Sequence, residues 1–479
     1  MIREALPEFT TPEAVPDIVF EGLSCDSRTI KPGDVFLAVQ GAKDDGGRFI
    51  DEAVQRGAAA VIAEPATRRS AAAVPIIEIP DSRRTVWRMA AAFYEDPSRE
   101  MCVTGVTGTN GKTTTTYLLE HLFRKAGRSP GVIGTVSTRF AGQEFPAVET
   151  TPGPLKLQQI LSQMKKAHVD RVAMEVSSHA LHQERVSGVH FTCAVFTNLT
   201  QDHLDYHGTM QAYFDCKAKL FEGLDANAAA VVNEADEWGK KLIGRTRAKI
   251  WTFGADSSHF RADAVSDTPE GTFFDLKHPG GTAKVRMSLH GSFNVLNALG
   301  AIAAASAQGV EPARSAAALA DFAGVPGRME SIRLGQDFTV LVDFAHTPDG
   351  LENVLRASKG AGKLILVFGC GGDRDRKKRP QMAGIAARYA DQIIVTSDNP
   401  RSEDPKAIAA EVCAGFPAGF DRYRVVLDRR KAIREALLSA RTGDRVILAG
   451  KGHERAQIVG TQALPFSDRE EAERVLHGR

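Results

Sequence analysis

Residues 106–126 read VTGTNGKTTTTYLLEHLFRKA, and the reading of this stretch decides the fold. An apolar segment over 101–106 leads into it and is read as a strand. Three glycines, Gly105, Gly108 and Gly111, come in quick succession, followed by Lys112 and Thr113. Such a turn lets the backbone point its N–H groups inward, where they cradle phosphate oxygens. The helix that opens next adds partial positive charge at its N-terminus. Lys112 would reach the outer phosphates of a nucleotide, and the Thr113 hydroxyl would ligate Mg²⁺. The register departs from G-x-x-x-x-G-K-[ST], because Val106 holds the first glycine position and Gly105 lies one residue early. Leu118, Leu119, Leu122 and Phe123 form one apolar stripe of the helix, which Gly127 can end. Strand, phosphate loop and helix in this order start a βαβ unit and point to an α/β fold.

The chain of 479 residues exceeds what one hydrophobic core serves, so three domains are expected. The pattern divides it at 1–95, 96–327 and 328–479. The first part holds short strands over 34–39 and 59–63. The second adds strands over 172–176 and 193–196, a polar β-rich stretch over 246–290 and an alanine-rich helix over 292–308. Gly324-Val325-Pro326-Gly327 reads as a linker. Beyond it, strands over 339–343, 363–368, 392–396 and 445–449 each run into a polar loop. Ligands of open parallel sheets bind at the carboxyl ends of strands, so these loops form a second functional edge.

Composition excludes several classes. Basic and acidic residues balance at 60 and 59, which gives no bulk signal for nucleic acid. No apolar run approaches a membrane span. The first seventeen residues carry acids and prolines and lack the apolar core of a signal peptide. Six cysteines, at 25, 102, 193, 216, 370 and 413, include no C-x-x-C pair, which reads as reduced thiols in a cytoplasmic protein without a zinc site.

Four segments together carry a family resemblance: the phosphate loop, Met174-Glu175-Val176-Ser177-Ser178-His179, Thr197-Asn198-Leu199-Thr200-Gln201-Asp202-His203-Leu204-Asp205 and Gly327-Arg328-Met329-Glu330. In order and spacing they resemble the ATP-dependent Mur ligases, and the match runs through nearly the whole chain. The resemblance implies an N-terminal α/β domain for the UDP end of the substrate, a central P-loop ATPase-like domain and a C-terminal Rossmann-like domain for the incoming amino acid. It implies ligase chemistry in peptidoglycan biosynthesis, and so a place in cell-wall biogenesis, cell shape and division. ATP would phosphorylate a substrate carboxylate, and an amine would attack the acyl phosphate. The partners would be small molecules only, and the protein a monomer.

By the same resemblance, Gly108, Thr109, Asn110, Gly111, Lys112, Thr113 and Thr114 hold the nucleotide. Asn294 and Asn297 sit near adenine, and Arg328 and Asp343 reach the nucleotide as the C-terminal domain closes. Glu175 and His203 hold a second Mg²⁺. Thr150, Thr151, Ser177, Gln183 and Arg185 contact the peptide and sugar-phosphate portion; Arg185 can grip an anion with two parallel bonds. Cys25 and Ser27, with Ala42, Lys43 and Asp44, line the uridine site. Ala42-Lys43-Asp44 stands where some members carry His-Gln-Ala, so backbone contacts would have to serve there.

Lys217 follows from the residues themselves. Thr209 can cap a helix running to about Gly223, with Met210, Tyr213, Phe214, Leu220 and Phe221 on one face. Lys217 lies within that apolar stripe, while Lys219 points away. Such a lysine either snorkels to solvent along its stem or is buried as a neutral amine able to take up CO₂ as a carbamate. The family has a carbamylated lysine at this position, which favours the second reading and adds Lys217 to the metal ligands.

Asp398-Asn399-Pro400-Arg401 looks like the segment of members that add meso-2,6-diaminopimelate to UDP-N-acetylmuramoyl-L-alanyl-D-glutamate. A guanidinium such as Arg401 can grip the far carboxylate that lysine lacks. Arg374, Gly450 and Glu454 match the remaining contacts, with Glu454 suited to the distal ammonium. Three rival readings are an L-lysine-adding enzyme, a folylpolyglutamate synthetase and a nucleotide-gated binding protein. The first would lack Arg401, and the second leaves the N-terminal domain unexplained. The set of Lys112, Glu175, His203 and Lys217 speaks against the third.

Overall fold

Alternating apolar residues build the first sheet. Strands Gly22–Ser24, Asp34–Ala38, Ala60–Ala63 and Ile76–Glu78 pair in parallel, in sequence order. Val35, Leu37 and Ile62 pack on one face and Phe36, Ala38 and Val61 on the other, as the two-residue period of a strand requires. The computed structural model describes residues 18–40, 45–65, 74–268 and 270–478. Helix Ser82–Phe93, capped by the Asp81 carboxylate, closes this unit, and Trp87 Nε1 donates to Glu184 of the next unit at 3.3 Å.

The central sheet has eight strands. Cys102–Thr107 lies between Cys193–Phe196 and Arg171–Glu175; Ala229–Asn233 and Lys249–Phe253 extend one side and Pro130–Ile133 the other. These six run parallel. Ser137–Phe140 and Gln143–Pro146 add an antiparallel edge that the sequence reading had not separated out. The chain builds first to one side of Cys102–Thr107 and then to the other. The carboxyl end of that strand is therefore the reversal point, where open α/β sheets take their ligands. Helices Lys112–Lys125 and Ser292–Ala307 cover one face, and Pro154–Lys166 and Met210–Glu222 cover the other. The 246–290 stretch divides into the last parallel strand and a three-stranded antiparallel sheet, which seals the first face with Phe274, Leu276 and Val285.

The third sheet is ordered Glu330–Ile332, Thr339–Asp343, Arg445–Ala449, Leu364–Phe368, Gln392–Val395, Tyr423–Val425, and among its strands only the first is antiparallel. A hairpin, Ala456–Val459 with Gln462–Pro465, leans on its carboxyl edge. Between the second and third sheets, 324–327 is a packed seam rather than a free linker. Val325 pairs with Arg328, and a Cβ on Gly327 would sit 2.1 Å from the His453 nitrogen.

Candidate active site

The phosphate loop is fixed by contacts only glycine permits. Gly108 has φ +149°, and a Cβ there would lie 1.9 Å from Thr197 Oγ1. Gly111 has φ +86°, and a Cβ there would lie 2.3 Å from Asn297 Oδ1. The Asn110 N–H donates to Asn198 Oδ1 at 3.0 Å, and the Thr109 hydroxyl to the Thr200 carbonyl at 3.1 Å. Lys112 opens the helix, and its ammonium bridges the carbonyls of Gly108 and Thr109 at 2.9 and 2.8 Å. Burial pushes its pKa down, against the pull of Glu175 and Asp202.

Glu175 ends the neighbouring strand and is buried. Its carboxylate accepts from the Thr113 hydroxyl at 3.0 and 3.1 Å, the Thr135 N–H at 2.8 Å and the Thr135 hydroxyl at 3.0 Å. A Cβ at Gly134 would stand 2.4 Å from one of its oxygens, so the loop is shaped around this charge. His203 takes a left-handed conformation, φ +54°, with Nε2 3.3 Å from Asp202 Oδ2. Burial holds its pKa below the ordinary imidazole value despite the opposing Asp202. His179, His182, Tyr206 and His207 form a ring cluster beside it, with the His179 and His203 centroids 4.8 Å apart.

The helix carrying Lys217 starts where the sequence puts it, at Thr209, whose hydroxyl accepts from the Ala212 N–H. Lys217 is buried and Lys219 is exposed. The Lys217 amine donates to the Gly108 carbonyl at 2.8 Å and lies 4.6 Å from the Tyr213 ring centre. Burial, and then the nearby Lys112 charge, bring its pKa well below the lysine value. The snorkelling alternative is thereby removed.

A cavity of about 310 Å³ opens between the second and third sheets. Asn110, Gly111 and Thr114 line it from the loop, Asn294 and Asn297 from the Ser292–Ala307 helix, and Arg328 and Asp343 from the far side. Asn297 donates to Asn294 Oδ1 at 3.1 Å, and Asn294 to the His290 carbonyl at 2.8 Å. The Arg328 guanidinium lies 4.7 Å from the Phe344 ring centre and reaches the Thr113 hydroxyl at 3.2 Å. Asp343 accepts from the Met329 and Ala345 N–H groups at 2.6 and 2.7 Å. Asn110 Nδ2 donates to Asp349 Oδ2 across the cleft at 2.7 Å. His346, on the polar loop expected after the 339–343 strand, also lines the cavity; Phe293 and Asp349 do so too and were not foreseen, since neither belongs to a local motif.

Thr150, Thr151, Ser177, Gln183 and Arg185 do meet beside Glu175. The Thr151 hydroxyl donates to the Glu175 carbonyl at 2.9 Å, the Thr135 and Thr150 hydroxyl oxygens lie 3.1 Å apart, and the Ser177 N–H donates to Thr151 at 3.1 Å. Arg185 is engaged within the chain, pairing with Glu149 at 2.8 Å and donating twice to Gln183. In the first unit, the Ser27 hydroxyl donates to Glu52 at 2.7 Å and Cys25 is exposed. Ala42, Lys43 and Asp44 lie outside the described residues.

Asp398-Asn399-Pro400-Arg401 forms the second edge. Arg401 is left-handed, φ +51°, and its Nη1 donates to the Gly372 carbonyl at 2.7 Å. No carboxylate of the described residues pairs with it. Burial and then the Arg374 charge lower its pKa. The glycines at 371 and 372 admit this segment: a Cβ on Gly372 would lie 1.9 Å from the Pro400 carbonyl oxygen. A Cβ on Gly450 would lie 2.6 Å from Asp398 Oδ2. Asn399 differs from expectation, since its side chain is spent within the chain, donating to Glu454 at 2.9 Å and accepting from Lys451 at 2.9 Å and the Ile458 N–H at 3.0 Å. Glu454 is engaged at one of its two oxygens, because Lys451 pairs with Oε2 at 2.6 Å.

Three family models match the chain: the Mur ligase family catalytic domain over 19–94, the Mur ligase middle domain over 106–305 and the Mur ligase glutamate ligase domain over 327–452. A protein of Gloeobacter violaceus named UDP-N-acetylmuramoyl-L-alanyl-D-glutamate--2,6-diaminopimelate ligase is 48% identical, covering 97% of this chain and 95% of its own. The chain belongs to the Mur ligase family. A Geobacillus thermodenitrificans Mur ligase of the same name is also 48% identical, with 95% and 94% covered. A solved structure of a ligase bearing that name has TM-score 0.69 at 33% identity and covers 100% of this chain and 98% of its own. The Mur ligase fold is shared more widely. A Thermotoga maritima MurF ligase solved with ADP has TM-score 0.69 at 21% identity, covering 97% and 99%.

Proposed function

We propose that this Mur ligase joins meso-2,6-diaminopimelate to UDP-N-acetylmuramoyl-L-alanyl-D-glutamate, with ATP converted to ADP and phosphate, as a step in peptidoglycan precursor synthesis. The observation that carries the reading is Arg401, a partly buried guanidinium without a carboxylate partner among the described residues, on the segment where diaminopimelate-adding members have it. Leaving such a cation unpaired is costly, and a second carboxylate on the incoming amino acid removes that cost. Full-length relatives carrying the ligase name add independent support.

In this reading an oxygen of the D-glutamyl side-chain carboxylate attacks the γ-phosphorus of ATP. The bond to the bridging oxygen breaks, ADP leaves, and an acyl phosphate remains. The amine of diaminopimelate then attacks the acyl carbon, loses a proton, and phosphate departs as the C–O bond breaks. Two anions must approach one another, so charge neutralisation and alignment do most of the work. Lys112 turns from the loop carbonyls to the outer phosphates, and Arg328 adds a second cation beside Thr113. Asn294 and Asn297 hold the base end of the cavity, and Asp343 orders 327–329 beneath the nucleotide. Thr150, Thr151, Ser177, Gln183 and Arg185 seat the acceptor, and Cys25 and Ser27 its uridine end.

The residues present fit Mg²⁺ on one condition. Among the described residues no three His, Cys, Asp or Glu side chains are placed so that they could hold a metal ion together. Glu175 and His203 therefore need another donor beside Thr113, and a carbamate on the neutral Lys217 amine supplies oxygen ligands. When bound, the ion would offset the charge of the phosphates and the acid. We further propose the division 1–95, 96–327 and 328–479 for UDP-substrate, ATP and amino-acid binding. No helix of the described residues is long and apolar enough to cross a membrane, and all six cysteines are free, in keeping with a cytoplasmic enzyme.

The test is phosphate release by purified enzyme with ATP, Mg²⁺ and the UDP-dipeptide, across a panel of amino acids. Meso-diaminopimelate is expected to be used far better than L-lysine. Equal use of both would overturn the assignment, and release without any amino acid would point to a nucleotide-driven binder.

A further inference from the structure

Lys451 stands in the loop between Gly450 and Glu454, and no role in the reaction has so far fallen to it. Its side chain is wholly buried. The ammonium donates to Glu454 Oε2 at 2.6 Å and to Asn399 Oδ1 at 2.9 Å, and Asn399 Nδ2 donates to the same Oε2 at 2.9 Å. The three side chains thus close a ring. The Ile458 N–H, 3.0 Å from Asn399 Oδ1, fixes which way the amide faces. Positive φ at Gly450 and Gly452, +111° and +53°, turns the loop so that the lysine points inward. Arg401 is tied to the same junction, its N–H donating to the Ile458 carbonyl at 3.1 Å and its carbonyl accepting from the Gly460 N–H at 2.7 Å.

Two consequences follow. Glu454 Oε2 takes both donors, which leaves Oε1 without a partner among the described residues and ready for a ligand cation. The carboxylate is also held apart from the Arg401 guanidinium: the two sense each other electrostatically, yet no ion pair joins them among the described residues. If they paired, each would cancel the other. A site built for a distal end bearing both an ammonium and a carboxylate needs the two charges present and separate. A fully buried ammonium with one carboxylate partner is a strong restraint, because releasing that carboxylate would strand the charge.

We infer that Lys451 is a specificity-determining positioning residue, which keeps Glu454 oriented and apart from Arg401 so that the zwitterionic end of a diamino diacid can enter between them. This rests on the reading of the edge as the amino-acid site.

The test uses full-length wild type, Lys451→Met, Glu454→Gln and the double variant, with phosphate release measured while ATP, UDP-dipeptide, meso-diaminopimelate and L-lysine are varied in turn. Lys451→Met is expected to raise KM for meso-diaminopimelate by about tenfold or more, with KM for ATP and UDP-dipeptide within about twofold. The kcat/KM ratio of meso-diaminopimelate over L-lysine should fall by about tenfold as well. In the Glu454→Gln background the same substitution should add less than about twofold, because the charge it governs is gone. Lys451→Gln, which keeps a donor without the charge, serves in its place if the methionine variant does not fold. An unchanged diaminopimelate KM, or losses that multiply in the double variant, would overturn the inference. If Glu454→Gln itself leaves that KM unchanged, the assignment of the edge falls first.

Discussion

Lys112 and Lys217 donate to one acceptor, the carbonyl oxygen of Gly108, at 2.9 and 2.8 Å. Two unit charges about 4 Å apart repel by about 4 kcal/mol at an effective dielectric of about 20, so both lysines are poorly accommodated as cations. Lys112 has a second carbonyl, that of Thr109, while among the described residues Lys217 has only the Tyr213 ring besides. Of the two, Lys217 is the one whose pKa is driven well below the lysine value, and a neutral amine is the form the proposed carbamate requires.

Lys217→Ala is expected to lower kcat by about a hundredfold or more, because the charge it would carry as a carbamate is lost from the reacting cluster. Salts of short carboxylic acids should restore part of the rate by filling the space with an anion. Full activity in the variant without added acid would eliminate the carbamate.

Lys217→Met should show the opposite effect on stability. A lysine whose folded pKa lies below its unfolded value destabilises the fold progressively as pH drops from the ordinary lysine range toward the depressed one, since only the unfolded chain takes up the proton. The methionine variant removes that penalty. Urea unfolding at pH 7 in CO₂-free buffer should place it on the order of 1–2 kcal/mol above wild type, with the gap closing above about pH 10. A variant less stable at pH 7 would contradict the assignment of a strained neutral amine.

Arg401→Ala should raise the amino-acid KM by about ten- to hundredfold, the loss expected when a charge-assisted pair is removed. The KM for the UDP-dipeptide should stay within about twofold. An unaltered amino-acid KM in steady-state assays would remove Arg401 from the site.

Asp349→Ala severs the 2.7 Å hydrogen bond that Asn110 sends from the phosphate loop to the third unit. One such bond to a charged group contributes about 1.5–3 kcal/mol at most, so the ATP KM is expected to rise by about tenfold. Small-angle scattering of the ligand-free variant should show a larger radius of gyration than wild type. Identical scattering and KM would mean that this bond does not hold the cleft shut.

What could be read from the chain alone was whatever sits in contiguous sequence. The phosphate loop and the Thr209 cap each follow from spacing along one element; spacing put Lys217 within an apolar stripe but left snorkelling open, and only the family resemblance favoured its burial. The carboxyl-end loops at 343–346, 371–374, 398–401 and 450–454 were legible too, because strands of one parallel sheet must end together. Contacts between distant segments were not. Asn399 carries no sign in its own neighbourhood that Lys451 and Ile458 will use up its amide, and nothing around Asp349 announces Asn110. Lys378 is a similar case: it is buried at the start of helix Lys378–Tyr389, without an ion-pair partner among the described residues. The 324–327 stretch looked like a tether because glycine and proline mark both flexible and tightly packed chain.

That seam has a consequence for how the enzyme can vary. At Gly327 and Gly452 the two bodies touch backbone to backbone, and a Cβ at either position would fall within 3 Å of the other segment. A single methyl there would act as a wedge, lifting the nucleophile away from the activated acid while every reacting group stayed intact. Mutational intolerance should therefore peak at two positions that perform no chemistry, whereas a new amine donor could evolve by repainting the loops above them.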